Sequence, residues 1–338
     1  MKKVVVTGGA GFIGSHTVVE LEAAGYTPVI VDDLRNSQER ALKGVEAILG
    51  RAPEVHRIDC GDAGALGRVF AAGAVHGVIH FAADKSVPES LADPLKYYAN
   101  NIGSTATVLR TMAAHGVKRI VFSSSCTVYG QPDKSPVTEL SPTGNVSSPY
   151  GYTKVICERM LDDAVAADAA LKCVLLRYFN PIGAHPSAHI GELPIGVPMN
   201  LVPYITQTAA GLRKELTVYG SDYDTPDGSC VRDYIHVVDL AKAHVRALEW
   251  MEECSAPLCE VFNLGTGEGN SVLGTVSAFE EVTGVNVPHK IGPRRNGDIA
   301  AIWADTAKSR TVLGWHCNHD LREALRDAWR WQQAVGQR

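Results

Sequence analysis

No apolar run in this 338-residue sequence approaches the length needed to cross a bilayer. The run Val4-Val5-Val6 behind Met1-Lys2-Lys3 stops at Thr7-Gly8-Gly9, too short for the core of a secretory leader. No internal repeat, low-complexity linker or long basic run is present. With a net charge of −5, nucleic acid and anionic membranes are not expected as main partners. The eight cysteines lie between Cys60 and Cys317 with no CxxC and no paired spacing. A disulfide framework is therefore not expected, and reduced thiols in a cytoplasmic protein are. His316-Cys317-Asn318-His319 lacks a four-ligand set at standard spacing, so no metal site is assigned. What remains is ordinary globular material, 45% hydrophobic and 20% charged, long enough for two lobes.

The first half alternates short apolar runs with helical segments. Val4–Val6 reads as a strand covered on both faces. Gly8, Gly11 and Gly14 follow with the spacing of a pyrophosphate-binding turn, and a helix is expected over 12–24, ending at Gly25. The run at 28–31 ends in Asp32-Asp33. A carboxylate there, roughly 20 residues past the glycines, accepts hydrogen bonds from an adenosine ribose and repels a 2′-phosphate. That favours NAD over NADP. Strands are further expected at 54–58, ending at Asp59-Cys60; at 77–81, ending at Ala82-Ala83-Asp84-Lys85; and at 118–122 and 171–179. His80, inside an apolar strand, reads as a core histidine. A long helix is expected over 94–114, where Asn100 and Asn101 suggest a polar task on the cofactor side. The alternation predicts an α/β fold: a Rossmann-type doubly wound parallel sheet with a smaller mixed α/β substrate-binding lobe. The boundaries are 1–179 for the NAD-binding domain, with 237–264 returning to it, and 180–236 plus 265–338 for the lobe.

The chemistry centres on Tyr150 and Lys154. Pro149 suits a helix entry, and positions four apart share a helix face. A free phenol is a poor base at neutral pH, and a nearby cation favours its ionised form. Ser125, at the carboxyl end of the strand at 118–122, lies where open α/β sheets bind ligands and can donate a hydrogen bond to a substrate oxygen. A serine nucleophile is the rival reading, but no G-x-S-x-G turn and no histidine base accompany it. The segment 131–149 reads as a loop over the site.

With Gly8, Gly11, Gly14, Asp32, Ser125, Tyr150 and Lys154 in this order, the sequence resembles the extended short-chain dehydrogenase/reductase family. Within it, the resemblance is to the branch that inverts UDP-hexoses at C4. The segments that carry it are TGGAGFIGSHT from Thr7, FSSSCTVYG from Phe122, SPYGYTK from Ser148, LRYFNPIGAHP from Leu176, VRDYIHVVDLA from Val231 and NLGTGEGNSV from Asn263. They span essentially the whole chain. The resemblance implies an NAD-dependent isomerase that oxidises the sugar at C4, turns the 4-keto intermediate and reduces it again, with Tyr150 as base, Ser125 assisting and Lys154 lowering the Tyr150 pKa. It places Phe12, Ile13, Asp32, Asp33, Asn36, Ser37, Asp59, Cys60, Phe81, Ala82, Lys85, Asn100 and Phe179 around the cofactor. It places Ser125, Thr127, Asn180, Asn200, Leu201, Thr217, Tyr219, Arg232, Arg295 and Asp298 around a UDP-sugar. Arg232 and Arg295 suit a pyrophosphate clamp, although a salt bridge of Arg232 with Asp233 is the plainer alternative. Ile302, intermediate in volume, stands where the family sets pocket size near the sugar C2 substituent, so N-acetylated sugars stay open as substrates. Cys126 is read as packing. A homodimer is implied, with 94–114 and 150–167 forming a bundle across the two-fold. The rivals are a nucleotide-sugar 4,6-dehydratase, which would need carboxylates where Cys126-Thr127 stand, a net dehydrogenase, and a non-catalytic NAD-binding redox sensor.

Overall fold

Seven strands carry the molecule: β1 (Lys3–Thr7), β2 (Thr27–Val31), β3 (Glu54–His56), β4 (Val75–His80), β5 (Arg119–Ser125), β6 (Lys172–Tyr178) and β7 (Leu258–Leu264). The computed structural model describes residues 2–295 and 298–336. All seven strands pair in parallel, in the order β7-β6-β5-β4-β1-β2-β3. Val4 and Val6 join the core on one face and Val5 the core on the other. That two-sided burial is why the run is apolar without alternation. Helices Phe12–Ala23, Glu39–Leu49 and Val237–Glu253 cover the first face, and Ala63–Ala71, Gly103–Ala114 and Pro149–Ala167 the second. The chain leaves β1 for β2 on one side, while β4 flanks β1 on the other. This reversal opens a crevice at the carboxyl ends of β1 and β4, the usual ligand position in such sheets.

Beyond β6 the alternation gives way to short strands. Asn180–Ile182 pairs with Tyr234–His236, and Leu216–Tyr219 with His289–Gly292, both in parallel. Helices Leu201–Ala209, Val272–Thr283 and Leu321–Gly336 join these strands in a separate core around Ile205, Phe279 and Leu325. Strand β7, reached through helix Val237–Glu253, returns to the main sheet beside β6.

The helix expected over 94–114 is not uniform. Pro94–Tyr97 is α-helical, Tyr98–Ile102 forms a π-helical turn, and the α-helix resumes at Gly103. The wider turn sets the buried Asn101 side chain where its amide donates to the Asp84 carbonyl (2.9 Å) and to Thr153 Oγ1 (3.0 Å). Its oxygen accepts from the Asp84 N–H (2.8 Å). One asparagine thus ties the end of β4 to the Tyr150 helix. The His316–His319 segment is held by Asp239, which accepts from the backbone N–H groups of Asn318 and His319, both at 2.9 Å.

Three fully buried histidines are neutral. Burial pushes His16 and His80 down to about 3 and His244 to about 4, from an ordinary value of 6.5. His80 sits between Thr7 Oγ1 (2.6 Å) and Thr105 Oγ1 (3.2 Å), as a core histidine should. Because the folded values lie below the unfolded one, their contribution to stability is complete above pH 6.5 and is lost as pH falls through that value toward 3. Urea-unfolding midpoints should therefore drop between pH 7.5 and 5. His80→Gln, which keeps a hydrogen-bonding side chain, should show a shallower drop than the wild type; equal slopes would remove His80 from this account.

Candidate active site

The turn after β1 is dictated by close approach. Gly8 has φ 72°, and a Cβ there would stand 2.8 Å from the Ala82 nitrogen. A Cβ on Gly14 would stand 2.2 Å from the Gly8 carbonyl oxygen. At Gly11, among the described residues beyond its chain neighbours, such a Cβ would meet within 4 Å only that same oxygen, at 3.2 Å, and Gly11 stands on the crevice wall. Helix Phe12–Ala23 starts at Gly11 with no side-chain cap. Its first N–H groups and positive dipole end are left for an anion, which is the fit a dinucleotide pyrophosphate needs. Asp32 is buried and accepts from the Ala10 N–H (2.9 Å), the Leu34 N–H (2.9 Å) and the Ser37 hydroxyl (2.8 Å). It shapes both the glycine turn and the loop after β2. The resulting cavity holds about 360 Å³ and is lined by every residue expected at the cofactor except Asn100. The Asn100 side chain accepts a hydrogen bond from Arg35 instead of standing on the cavity wall.

The reacting end is built from β5 and helix Pro149–Ala167. Ser148 caps that helix, its Oγ accepting from the Gly151 N–H at 3.2 Å, with Pro149 in the first turn. Tyr150 and Lys154 both stand on the cavity wall with Ser125. Burial pushes the Tyr150 phenol up to about 12, outweighing the nearby Ser125 hydroxyl, which favours its ionised form. Burial also pulls the Lys154 ammonium down to about 8. Lys154 Nζ donates to the Ser123 carbonyl (2.7 Å) and lies 5.0 Å from the Phe122 ring centre. In this state the ammonium is engaged with β5, and the groups acting on the phenol besides burial are Ser125 and Cys126.

A second cavity of about 380 Å³ opens into the smaller lobe and shares Asn180, Pro181 and Asn200 with the first. Leu201, Thr217, Tyr219, Arg232, Arg295 and Asp298 line it as expected, while Ser125, Thr127 and Tyr150 belong to the wall of the first cavity. The alternative of an Arg232–Asp233 salt bridge is not realised. Asp233 points inward and accepts from Thr266 N–H (2.8 Å), Thr266 Oγ1 (2.7 Å), Gly267 N–H (3.1 Å) and Ala304 N–H (3.2 Å). Arg232 donates to the Val231 carbonyl (2.8 Å) and has no carboxylate partner among the described residues. Its charge is available to an anion. Arg295 pairs with Asp298 (2.9 Å) and lies 4.9 Å from the Tyr219 ring centre. Ile302 lines neither cavity; it is buried in a cluster with Val128, Ala304 and Phe179, the last of which reaches the wall of the first cavity.

Residues outside the sequence expectations also shape the site. Tyr178 stands on the cofactor-cavity wall, its phenol hydrogen-bonded to Ser123 Oγ. Arg177 and Glu158 form a buried two-point pair at 2.9 and 2.7 Å that fixes the Tyr150 helix to β6. Tyr178 lies within the LRYFNPIGAHP segment, which was its one signal. Arg177 lies in the same segment, but nothing there signalled its pairing with Glu158, 19 positions away.

Residues 4–265 match the family model described as the NAD dependent epimerase/dehydratase family. The UDP-glucose 4-epimerase of Dictyostelium discoideum is 51% identical over 98% of this chain and 95% of its own length. The Bacillus subtilis UDP-glucose 4-epimerase is 50% identical over 98% and 97%. Among solved structures, a UDP-glucose-4-epimerase from Stenotrophomonas maltophila with bound NAD and formylated UDP-arabinopyranose superimposes with a TM-score of 0.96, at 48% identity, over 100% of this chain and 99% of that one. The Bifidobacterium longum UDP-glucose 4-epimerase in complex with NAD+ and UDP gives 0.95 at 47% identity, over 99% of each chain. With this glycine turn at the start of an uncapped helix and this depth of similarity, the chain belongs to the NAD dependent epimerase/dehydratase family.

Proposed function

We propose that this protein interconverts UDP-glucose and UDP-galactose by reversible oxidation at the sugar C4. The observation that carries the reading is that Ser125 and Tyr150 stand together on the wall of a glycine-lined cavity that shares Asn180, Pro181 and Asn200 with a second, arginine-bearing one. NAD, when bound in the first cavity, supplies the acceptor and later the donor of the C4 hydrogen. The chain's own groups do the rest. Arg232 and Arg295 hold the UDP pyrophosphate, and Asn180 and Asn200 stand where the two cavities meet. Ser125 bonds the reacting oxygen, and Tyr150 takes its proton and later returns it.

The phenol, already protonated at neutral pH at its ordinary value, is pushed further up to about 12 by burial. A cationic group brought into the same water-poor space favours the phenolate, as does Lys154 once its ammonium faces the phenol. The base is thus armed by filling the site. The dehydratase reading needs proton carriers beside Ser125. There the chain has Thr127 and a half-buried Cys126 thiol pushed up to about 12, neither of which exchanges protons near pH 7.

The protein is further proposed to act as a cytoplasmic homodimer. All eight cysteines are free thiols, and no helix among the described residues is long and apolar enough to cross a membrane. Leu91, Leu95 and Tyr152 are 59, 75 and 45% exposed on the neighbouring helices Val87–Ala92, Pro94–Tyr97 and Pro149–Ala167, an apolar surface suited to a second copy.

Purified protein given UDP-galactose without added NAD should yield UDP-glucose. Accumulation of a 4-keto-6-deoxy sugar would favour the dehydratase, and inert protein the sensor. Tyr150→Phe should bind UDP nearly normally while turnover falls at least ~100-fold, the scale of a general base; near-normal turnover would exclude Tyr150 from that role. Light scattering at micromolar concentration should give the mass of a dimer, and Leu95→Asp should shift it toward the monomer; a monomeric wild type would refute the assembly.

A further inference from the structure

Arg35 is not among the residues assigned above to the cofactor, yet it stands on the wall of the glycine-lined cavity. The loop that carries it is bent by design. Asp32 holds the Leu34 N–H and the Ser37 hydroxyl, and Leu34 adopts φ 62°, a conformation that branched side chains avoid unless the surroundings impose it. The bend turns the Arg35 side chain back across three separate segments. Its Nε lies 3.4 Å from Asp33 Oδ2 in the loop after β2. Its Nη1 lies 4.0 Å from Asp59 Oδ2 in the loop after β3. Its Nη2 donates to Asn100 Oδ1 in the π-helical turn. Asp33 and Asp59 stand on the same cavity wall, and the Arg35 side chain remains 44% exposed. One planar cation therefore ties together the segments that enclose the Asp32 end of the cavity.

Resting on the NAD reading of this cavity, we propose that Arg35 is a retention strap for the adenosine half of the dinucleotide. Its guanidinium plane lies against the adenine, and its hold on Asp33, Asp59 and Asn100 keeps that end closed. A flat, weakly hydrated cation suits an aromatic base face, and its fork suits three partners at once. Two carboxylates already balance its charge and Asp32 lies three residues away, so the ligand favoured is an unphosphorylated adenosine ribose. Asn100, expected at the cofactor and not on the cavity wall, acts in this proposal through Arg35.

The test compares NAD release from the loaded wild type, Arg35→Ala, Arg35→Lys and a control, Arg51→Ala, which breaks the exposed pair with Glu22 elsewhere on the surface. Bound NAD is counted per protomer after gel filtration and followed in time after dilution. Arg35→Ala should release NAD at least about tenfold faster, the scale of losing one charge-assisted hydrogen bond. Arg35→Lys, which keeps the charge without the fork, should fall between, and Arg51→Ala should match the wild type. Unchanged release from Arg35→Ala overturns the strap. An equal rise in Arg51→Ala also overturns it, since the effect would then be general loosening. A wild type that weakly holds NAD but retains NADP, and loses that retention in Arg35→Ala, assigns Arg35 to a 2′-phosphate and overturns it as well. A wild type that retains neither dinucleotide overturns the reading of the cavity itself, which separates that failure from failure of the strap.

Discussion

The partial removal of water from the half-buried Tyr150 phenol is the constraint on which the rest of the site depends. Burial pushes the phenol up to about 12, and the nearby Ser125 hydroxyl recovers only part of that. With less solvent to screen it, a charge placed beside the ring also acts more strongly. The same burial thus holds the phenol protonated and makes it responsive to a neighbouring cation. Lys154 lies under the same rule: drawn to about 8 by burial, its ammonium is satisfied by the Ser123 carbonyl.

Two backbone periodicities meet to build this arrangement. Ser123 and Ser125, two apart on β5, share a face of the strand; Tyr150 and Lys154, four apart on helix Pro149–Ala167, share a face of the helix. The strand's serines meet the helix's phenol and ammonium in matched order. The Ser123 carbonyl takes the ammonium, the Ser123 hydroxyl meets the Tyr178 phenol, and the Ser125 hydroxyl stands near the Tyr150 phenol. Asn101 and the Arg177–Glu158 pair then fix the helix against β4 and β6, so the match is held from both flanks.

Buried polar groups do the joining between lobes as well. Asp233 gathers two backbone N–H groups from the loop after β7, the Thr266 hydroxyl and the Ala304 N–H, and so anchors the smaller lobe beside the sheet. With that carboxylate turned inward, the adjacent Arg232 lines the second cavity with no carboxylate partner among the described residues. Alternation along an extended chain thus separates one anchoring charge from one left on the cavity wall.

The order of strands and helices, the glycine turn, Asp32 and the Tyr150/Lys154 pair were legible in the sequence, because each is a local pattern imposed by strand, turn or helix geometry. The π-helical turn was not, since the tertiary bonds of Asn101 to Asp84 and Thr153 accompany it. The partner of Lys154, the inward turn of Asp233, the place of Ile302 off both cavity walls and the bridge of Arg35 across three loops were likewise invisible. Each joins segments far apart in the chain, and no local pattern encodes which of several nearby charges or hydroxyls a side chain will meet. The sequence by itself determined which residues are present at the crevice; the tertiary structure decided which of them are neutral, which are engaged and which are left free to bind, because those outcomes depend on burial and on distances that only packing sets.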